Sequence, residues 1–254
     1  MSKVIAVLGA GTGLGVSLAH RFGREGFRVA LVARRTDRLE ALVAELADKG
    51  VEAAAFPADL SDPAQVPALV GAIRARFGRI DVVEYGPIST AVSFTPATQL
   101  DAATLEKLTR LLLLTPVEVF RTVLPELTER GDGALLLTLG ASAAHPYPHM
   151  SGPGPAMAGA RNYLHTLHAE LDGTGVYAGT LVIGAMIARS EGADAFGIPR
   201  DGATAGTVEL PGGLKVDVVD PDDLAEYYWD MYTRRDRVEQ LHPAPTAPDT
   251  DTTA

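Results

Sequence analysis

The stretch KVIAVLGAGTGLG, residues 3–15, decides the fold of this chain. Its first half is a short apolar run that ends in glycines, which is typical of a buried strand. The overlapping stretch GLGVSLAHRFGREG, residues 13–26, carries apolar side chains at helical spacing and ends at a glycine. A strand, a glycine-rich turn and a helix therefore open the chain.

This alternation of strand and helix continues. Further strand patterns occur at 27–34, 51–59, 79–86, 133–140, 176–184 and 213–219, with helical patterns between most of them. A long helix is predicted over 101–129, with a kink or break at Pro116. Strands that alternate with helices predict an α/β fold, here a doubly wound parallel sheet of the Rossmann type with helices on both faces.

The composition limits the classes of protein to which this chain can belong. Of 254 residues, 46% are hydrophobic, enough for a sizeable core, and the net charge is −10. This charge works against binding to nucleic acid or to an anionic membrane. The absence of cysteine excludes disulfides and thiolate sites. No apolar run has the length of a membrane span, and no signal peptide pattern precedes the first strand, so we expect a cytoplasmic location.

One domain is expected over residues 1–241. Within it, the Gly- and Ala-rich segment 187–213 has weak periodicity, which is the composition of a mobile loop or substrate lid. Residues 242–254 have no apolar periodicity and predict a disordered C-terminal tail.

The turn after the first strand predicts a nucleotide site. Gly9, Gly13 and Gly15 allow a tight turn and a close approach of the backbone to a diphosphate, which then lies at the helix N-terminus. The candidate residues of the whole turn are Gly9, Gly11, Thr12, Gly13, Leu14 and Gly15. A tight turn without a ligand is the alternative interpretation.

The end of the second strand points to the type of nucleotide. A site for NAD usually has an acidic residue there, which binds the ribose hydroxyls. This chain has Arg34 and Arg35 instead. Two guanidinium groups suit a 2′-phosphate, so NADP(H) is favoured over NAD. A solvated pair at the start of a helix is the alternative.

These motifs together resemble the short-chain dehydrogenase/reductase family over residues 3 to about 240. The spacing of Gly9, Gly13 and Gly15 is that of the family's glycine motif, and GRIDVV, RTVLPEL and RNYLHTLHAEL resemble its fourth strand and two of its helices. The resemblance implies that Asp59 and Leu60, in ADLSD, flank the adenine. Tyr85 and Gly86 fall where the family usually has Asn-Asn-Ala-Gly and are counted with the cofactor-binding residues.

The catalytic residues of the family are not found at the matching positions. The family works with Asn, Ser, Tyr and Lys, in which the lysine lowers the pKa of the proton-donating phenol. The matching positions hold Leu112, Gly140, Pro153 and Met157. A test that needs no alignment agrees, because none of the four lysines lies four residues after any of the seven tyrosines.

The loop after the fifth strand offers other groups. In a doubly wound fold this loop overlooks the ligand at the carboxyl ends of the strands. The catalytic candidates are Ser142, His145, Tyr147 and His149, of which a histidine donates a proton at neutral pH without a lysine. Ordinary loop residues between prolines are the alternative. Glu84 and Tyr85, at the end of the fourth strand, are expected to shape the pocket.

The predicted long helix at 156–171 has two further features. His165 and His168 lie three residues apart, but no third ligand is in sight, so no metal site is predicted. Tyr163 is expected to pack within the protein. The resemblance implies that this helix, with its small residues, forms the surface of a homodimer or homotetramer.

Three hypotheses about function stay open. The first is an NADP(H)-dependent oxidoreductase with a substituted proton path, which acts on a small organic substrate such as a carbonyl, an iminium or an activated C=C bond. The second is a non-redox enzyme of the same fold, a cyclase, isomerase or lyase, that consumes no NADPH. The third is a catalytically inactive nucleotide-binding subunit.

Overall fold

The computed structural model describes residues 2–88, 94–200 and 206–243. Part of the predicted lid, 201–205, lies outside the described residues. Nearly all of the predicted tail, 244–254, lies outside them too.

The core of the fold is a seven-stranded parallel sheet, as the alternating pattern predicts. Its strands are β1 (Val4–Leu8), β2 (Arg28–Ala33), β3 (Ala53–Pro57), β4 (Val82–Tyr85), β5 (Gly133–Gly140), β6 (Val176–Ile183) and β10 (Glu239–His242). Their order across the sheet is β3-β2-β1-β4-β5-β6-β10. The order reverses between β1 and β4, and a ligand in such a sheet binds at this switch point, outside the carboxyl ends of the strands.

Helices cover both faces of the sheet. They are α1 (Leu14–Arg24), α2 (Thr36–Asp48), α3 (Val66–Phe77), α4 (Ala102–Thr109), α5 (Thr115–Arg130), α6 (Gly154–Glu170) and α8 (Pro221–Arg234). One buried apolar cluster contains residues of α3, α5 and α6, and the other contains residues of α1, α2 and α8. In the described part of the chain, no helix has both the length and the apolar character of a membrane span.

The predicted long central helix is interrupted. Residues Arg110–Leu114 form a π-helical turn between α4 and α5, and Pro116 lies in the first turn of α5. A proline is accepted there because the first turn of a helix has no intrahelical partner for its N–H groups. The break expected at Pro116 is therefore present, but the irregular backbone lies before the proline.

The C-terminal strands differ from the prediction. The strand predicted at 213–219 is β9 (Leu214–Val219), which belongs to a separate three-stranded sheet with β7 (Met186–Ile187) and β8 (Thr207–Leu210). The last strand of the main sheet in the described part of the chain is β10, which pairs with β6. This strand is short and lies at the edge of the sheet. Its sequence EQLH contains no β-branched or aromatic strand former, so the sequence does not predict it. The predicted lid also contains ordered structure, because β8 and the short helix α7 (Glu191–Ala195) lie within it.

Candidate active site and nucleotide cavity

One large cavity, of about 1660 Å³, opens at the carboxyl ends of the parallel strands. Its walls include the glycine-rich turn after β1, the ends of β2 to β6, and the segment from β7 to α7. Such a position is where ligands bind in doubly wound sheets. The cavity is therefore the candidate functional site.

The glycines of the turn are required by close backbone contacts. Gly9 has φ +105°, and a Cβ on it would lie 2.6 Å from the backbone nitrogen of Pro87. A Cβ on Gly15 would lie 2.8 Å from the Cα of Ala10. Any larger residue would displace this turn. The turn therefore presents bare backbone to the cavity, as a bound diphosphate requires.

The cavity brings the predicted cofactor residues together, with one exception. Eleven of the twelve line it: Gly9, Gly11, Thr12, Gly13, Leu14, Gly15, Arg34, Arg35, Asp59, Leu60 and Gly86. Asp59 accepts hydrogen bonds from the backbone N–H of Ser61 at 3.0 Å and from its hydroxyl at 2.8 Å. These two bonds hold the pKa of Asp59 below its ordinary value and fix the turn after β3.

Tyr85 is the exception, and the expectation that it shapes the cavity is wrong. Its side chain is buried in the cluster on the α5 side of the sheet, and its hydroxyl donates a hydrogen bond to the carbonyl of Leu111 at 2.5 Å. Successive side chains of a strand point to opposite faces, so its neighbour Glu84 lies on the other face. Glu84 does line the cavity.

The basic residues after β2 contact the segment that was predicted to form a lid. Arg35 and Arg38 both donate hydrogen bonds to Oε1 of Glu191, at the start of α7. In addition, the Thr12 hydroxyl donates to the carbonyl of Arg189 at 2.9 Å. The glycine-rich turn and the region expected to bind a 2′-phosphate are thus joined directly to the segment between β7 and α7.

The cavity wall contains a buried carboxyl group, that of Glu84. Glu84 is 2% exposed, and its Oε1 accepts a hydrogen bond from the Thr138 hydroxyl on β5 at 2.5 Å. The Thr138 hydroxyl lies 2.5 Å from the Tyr228 hydroxyl, on α8. Burial raises the pKa of Glu84 to about 8, and the bond from Thr138 opposes this shift. Glu84 is therefore mostly protonated at neutral pH.

The loop after β5 supplies three of its four predicted catalytic candidates. Ser142, His145 and Tyr147 line the cavity. Ser142 is buried, and its hydroxyl oxygen has no hydrogen-bond partner among the described residues. His149 is not among the lining residues, contrary to expectation. It has φ +64°, and its ring lies against Gly212, on which a Cβ would come within 2.5 Å of its Cδ2.

The positions that match the family's catalytic residues form an apolar wall. Pro153, Met157 and Gly140 line the cavity, and the backbone N–H of Gly140 donates to the Met157 sulfur at 3.4 Å. Leu112 is buried in the core instead. No group in this part of the wall has a titratable proton, so acid chemistry requires another part of the cavity.

The two histidines of α6 contact strands of the main sheet. His165 Nε2 lies 3.1 Å from Glu239 Oε2 on β10, and His168 Nδ1 lies 2.7 Å from the carbonyl oxygen of Ala178 on β6. Tyr163 packs against the core cluster, as expected. Part of the small-residue surface of α6 is used within the chain, because a Cβ on Gly159 would lie 3.2 Å from the Leu113 side chain.

Several cavity residues were not predicted from the sequence. Arg38 lies in the first turn of α2, three residues after Arg35, which is the residue before the helix. Lys107, Lys215 and Glu191 also line the cavity. They come from distant segments and show no local motif, so only the folded chain brings them together.

Comparison with known proteins agrees with this architecture. A family model described as short chain dehydrogenase matches residues 3–192. Sulfoacetaldehyde reductase 2 of Chromohalobacter salexigens is 30% identical over 177 residues, which are 69% of this chain and 69% of that protein.

Solved structures show the same fold. The alcohol dehydrogenase of the archaeon Thermococcus sibiricus, complexed with 5-hydroxy-NADP, has a TM-score of 0.79 and 24% identity over 97% of this chain and 100% of that chain. L-sorbose reductase of Gluconobacter frateurii, complexed with NADPH and L-sorbose, has a TM-score of 0.79 and 21% identity over 94% of each chain.

Proposed function

The chain belongs to the short-chain dehydrogenase family, and from this premise we propose that it is an NADP(H)-dependent oxidoreductase that acts on a small organic substrate. The observation that carries the proposal is the cavity itself. It combines a glycine turn that only a bare backbone can form with a cluster of arginines after β2. A turn of bare backbone and a cluster of arginines are the features that a diphosphate and a 2′-phosphate require.

The residues of the cavity fit NADP(H). The backbone of the turn at 9–15 and the N-terminus of α1 would bind the diphosphate. Arg34, Arg35 and Arg38 line the cavity beside the end of β2, where a 2′-phosphate is recognised in such folds. The two related structures compared above contain 5-hydroxy-NADP and NADPH, which supports this choice of cofactor.

The cofactor, when bound, supplies the hydride for the reduction, and the protein positions the substrate and moves a proton. No lysine of this chain lies four residues after a tyrosine, so the proton comes from a group other than the usual pair. His145, Tyr147 and Glu84 are titratable groups in the cavity wall. The substrate class is a carbonyl, an iminium or an activated C=C bond.

Two measurements test the proposal. The first is the dissociation constant of NADPH and of NADH for the wild-type protein and for the Arg35→Ala/Arg38→Ala variant. We expect NADPH to bind more tightly than NADH, and the double substitution to remove most of the difference. The second is NADPH consumption with carbonyl, imine and enone substrates. Turnover without NADPH consumption would favour a non-redox enzyme, and tight binding without any turnover would favour an inactive subunit.

We also propose a homo-oligomer, a dimer or a tetramer, on the basis of family membership. Light scattering of the purified chain tests this. A monomer at all concentrations would contradict it.

A further inference from the structure

Glu84 lies between the two halves of the cavity. In the sheet, its strand β4 is flanked by β1, which leads to the glycine turn, and by β5, which leads to the loop at 141–149. Glu84 pairs with Val7 on one side and with Leu136 on the other. Val7 lies two residues before Gly9, and Glu84 accepts a hydrogen bond from Thr138, which lies three residues before the loop at 141–149.

The surroundings of Glu84 favour its neutral acid form. No Lys, Arg or His pairs with it among the described residues, although Lys107 and Lys215 line the same cavity. Two tyrosines interact with it electrostatically: Tyr228 from α8 and Tyr85, which points to the other face of the sheet. A carboxyl group that is buried without a cation keeps its proton at neutral pH.

The hydrogen bonds leave one carboxyl oxygen available. Thr138 contacts Oε1, and Oε2 has no hydrogen-bond partner among the described residues. The Thr138 hydroxyl receives a hydrogen bond if the Tyr228 hydroxyl donates to it, and it can then donate its own proton to Glu84. This arrangement fixes the orientation of the carboxyl group in both of its protonation states. The proton can therefore reside on Oε2.

We propose that Glu84 is the acid that delivers the proton to the substrate in this cavity, and that Thr138 and Tyr228 are positioning residues that hold its carboxyl group. This inference rests on the proposed function. For a carbonyl substrate, the Oε2–H bond of Glu84 would break and its proton would bond to the substrate oxygen, and the bound cofactor would supply the hydride that reduces the substrate carbon. Glu84 would be left as a carboxylate, which the hydrogen bond from the Thr138 hydroxyl stabilises. A proton from the solvent, taken up through the open cavity, would then restore the acid form of Glu84.

The burial of Glu84 gives a physical reason to assign it a function. A carboxyl group at the centre of a sheet, between Val7 and Leu136, lowers stability relative to an apolar residue of similar size. The Tyr228 hydroxyl is also fully buried, so the chain of hydroxyls ends inside the protein. Glu84 lines the cavity, so its proton can exchange there.

The test compares wild-type protein with Glu84→Gln, which keeps the shape and the hydrogen bond from Thr138. His145→Ala and Tyr147→Phe are the comparison variants for the loop. Infrared difference spectra against Glu84→Gln follow the protonated carboxyl band of Glu84 as pH is raised. NADPH binding and the rate of NADPH consumption are then measured for every variant.

We expect the infrared band to disappear with a midpoint near pH 8. We expect Glu84→Gln to bind NADPH as wild type does, but to lose about 100-fold or more in turnover together with the alkaline limb of the pH profile. Full turnover with an unchanged pH profile in Glu84→Gln would overturn the inference. Loss of turnover in His145→Ala or Tyr147→Phe, with Glu84→Gln unaffected, would also overturn it.

Different results would contradict the role of Glu84 and the proposed function. If wild-type protein consumes no NADPH with any substrate, the proposed function is wrong, and the infrared titration still decides the state of Glu84. A carboxylate that is already ionised at pH 6 overturns the inference whatever the activity is. Glu84→Leu is the second variant, and it serves if Glu84→Gln does not fold.

Discussion

The hydroxyl of Thr138 donates a hydrogen bond to the buried carboxyl group of Glu84, across the boundary between β4 and β5. This contact joins two residues 54 positions apart at the edge of the cavity, and the same hydroxyl lies 2.5 Å from that of Tyr228. A polar cluster of this kind within an apolar sheet has measurable consequences for stability and for protonation.

The first prediction concerns the pH dependence of stability. Burial raises the pKa of Glu84 from 4.5 to about 8, so the folded protein retains a proton that the unfolded chain has lost over this range. The contribution of Glu84 to stability is therefore present below pH 4.5 and falls as pH rises towards 8. Glu84→Gln has no such proton. Between pH 4.5 and 8, the free energy of unfolding of wild type should therefore fall by about 4 kcal/mol relative to that of the variant.

Urea unfolding of both proteins at four pH values between 5 and 8 checks this prediction. Because both proteins share all other titratable groups, the difference between their unfolding free energies isolates Glu84. A difference that does not change with pH would show that Glu84 is not protonated in the folded protein.

The second prediction concerns Thr138. Its hydrogen bond lowers the pKa of Glu84 and so opposes the effect of burial. Thr138→Val keeps the shape but removes the donor, so the pKa of Glu84 should rise further. The infrared midpoint should move to a higher pH, while Thr122→Val, which loses a hydroxyl on α5 outside the cavity, should leave it unchanged. An unchanged or lower midpoint in Thr138→Val would count against the contact.

The third prediction concerns Glu191. This carboxylate pairs with Arg35 and Arg38 and therefore competes with a bound 2′-phosphate. All three side chains are about half exposed, and such pairs contribute about 1 kcal/mol or less. Glu191→Gln should thus bind NADPH up to about fivefold more tightly and bind NADH as before.

Titration of protein fluorescence with each nucleotide measures both affinities. Glu118→Gln is the matched control, because Glu118 pairs with Arg121 on a helix that does not line the cavity. Equal gains in affinity for NADPH and NADH would show that Glu191 does not act on the 2′-phosphate.

The fourth prediction concerns the glycine turn. Gly15→Ala places a Cβ 2.8 Å from the Cα of Ala10, so the turn must shift. NADPH affinity should fall by about tenfold or more, equal to about 1.4 kcal/mol. Gly71→Ala in α3 is the control, since a Cβ there meets nothing within 4 Å. It should leave affinity unchanged and stabilise the helix by about 0.5–1 kcal/mol. Equal affinity in the two variants would place the nucleotide elsewhere.

The sequence predicts the order of the main strands and helices because each carries its own periodicity. It does not predict β10, because EQLH is held in the sheet by pairing with β6 and not by its hydropathy. In the site, the glycine turn and the pair Arg34 and Arg35 can be predicted, because each is a short local motif in the sequence. The pairing of Arg35 with Glu191 cannot be predicted from the sequence, because the two residues are 156 positions apart.

The sequence pattern does not predict which of Glu84 and Tyr85 faces the cavity. All four residues of β4 are buried, so alternation does not reveal which side chain faces the cavity. A charged residue inside an apolar strand was the available signal, and its partner Thr138 lies far away in the chain. The sequence does not indicate that His149 has a positive φ or that its ring lies against Gly212, outside the cavity lining.

The most direct test of the central claim follows a labelled hydride. Wild-type protein is incubated with NADPH that carries deuterium at nicotinamide C4 and with each substrate of the carbonyl, imine and enone panel, and the products are analysed by mass spectrometry. An NADP(H)-dependent oxidoreductase transfers one deuterium to the reduced carbon of its substrate and leaves NADP⁺ in equal amount. Product that carries no deuterium, formed while NADPH is unchanged, would contradict the account.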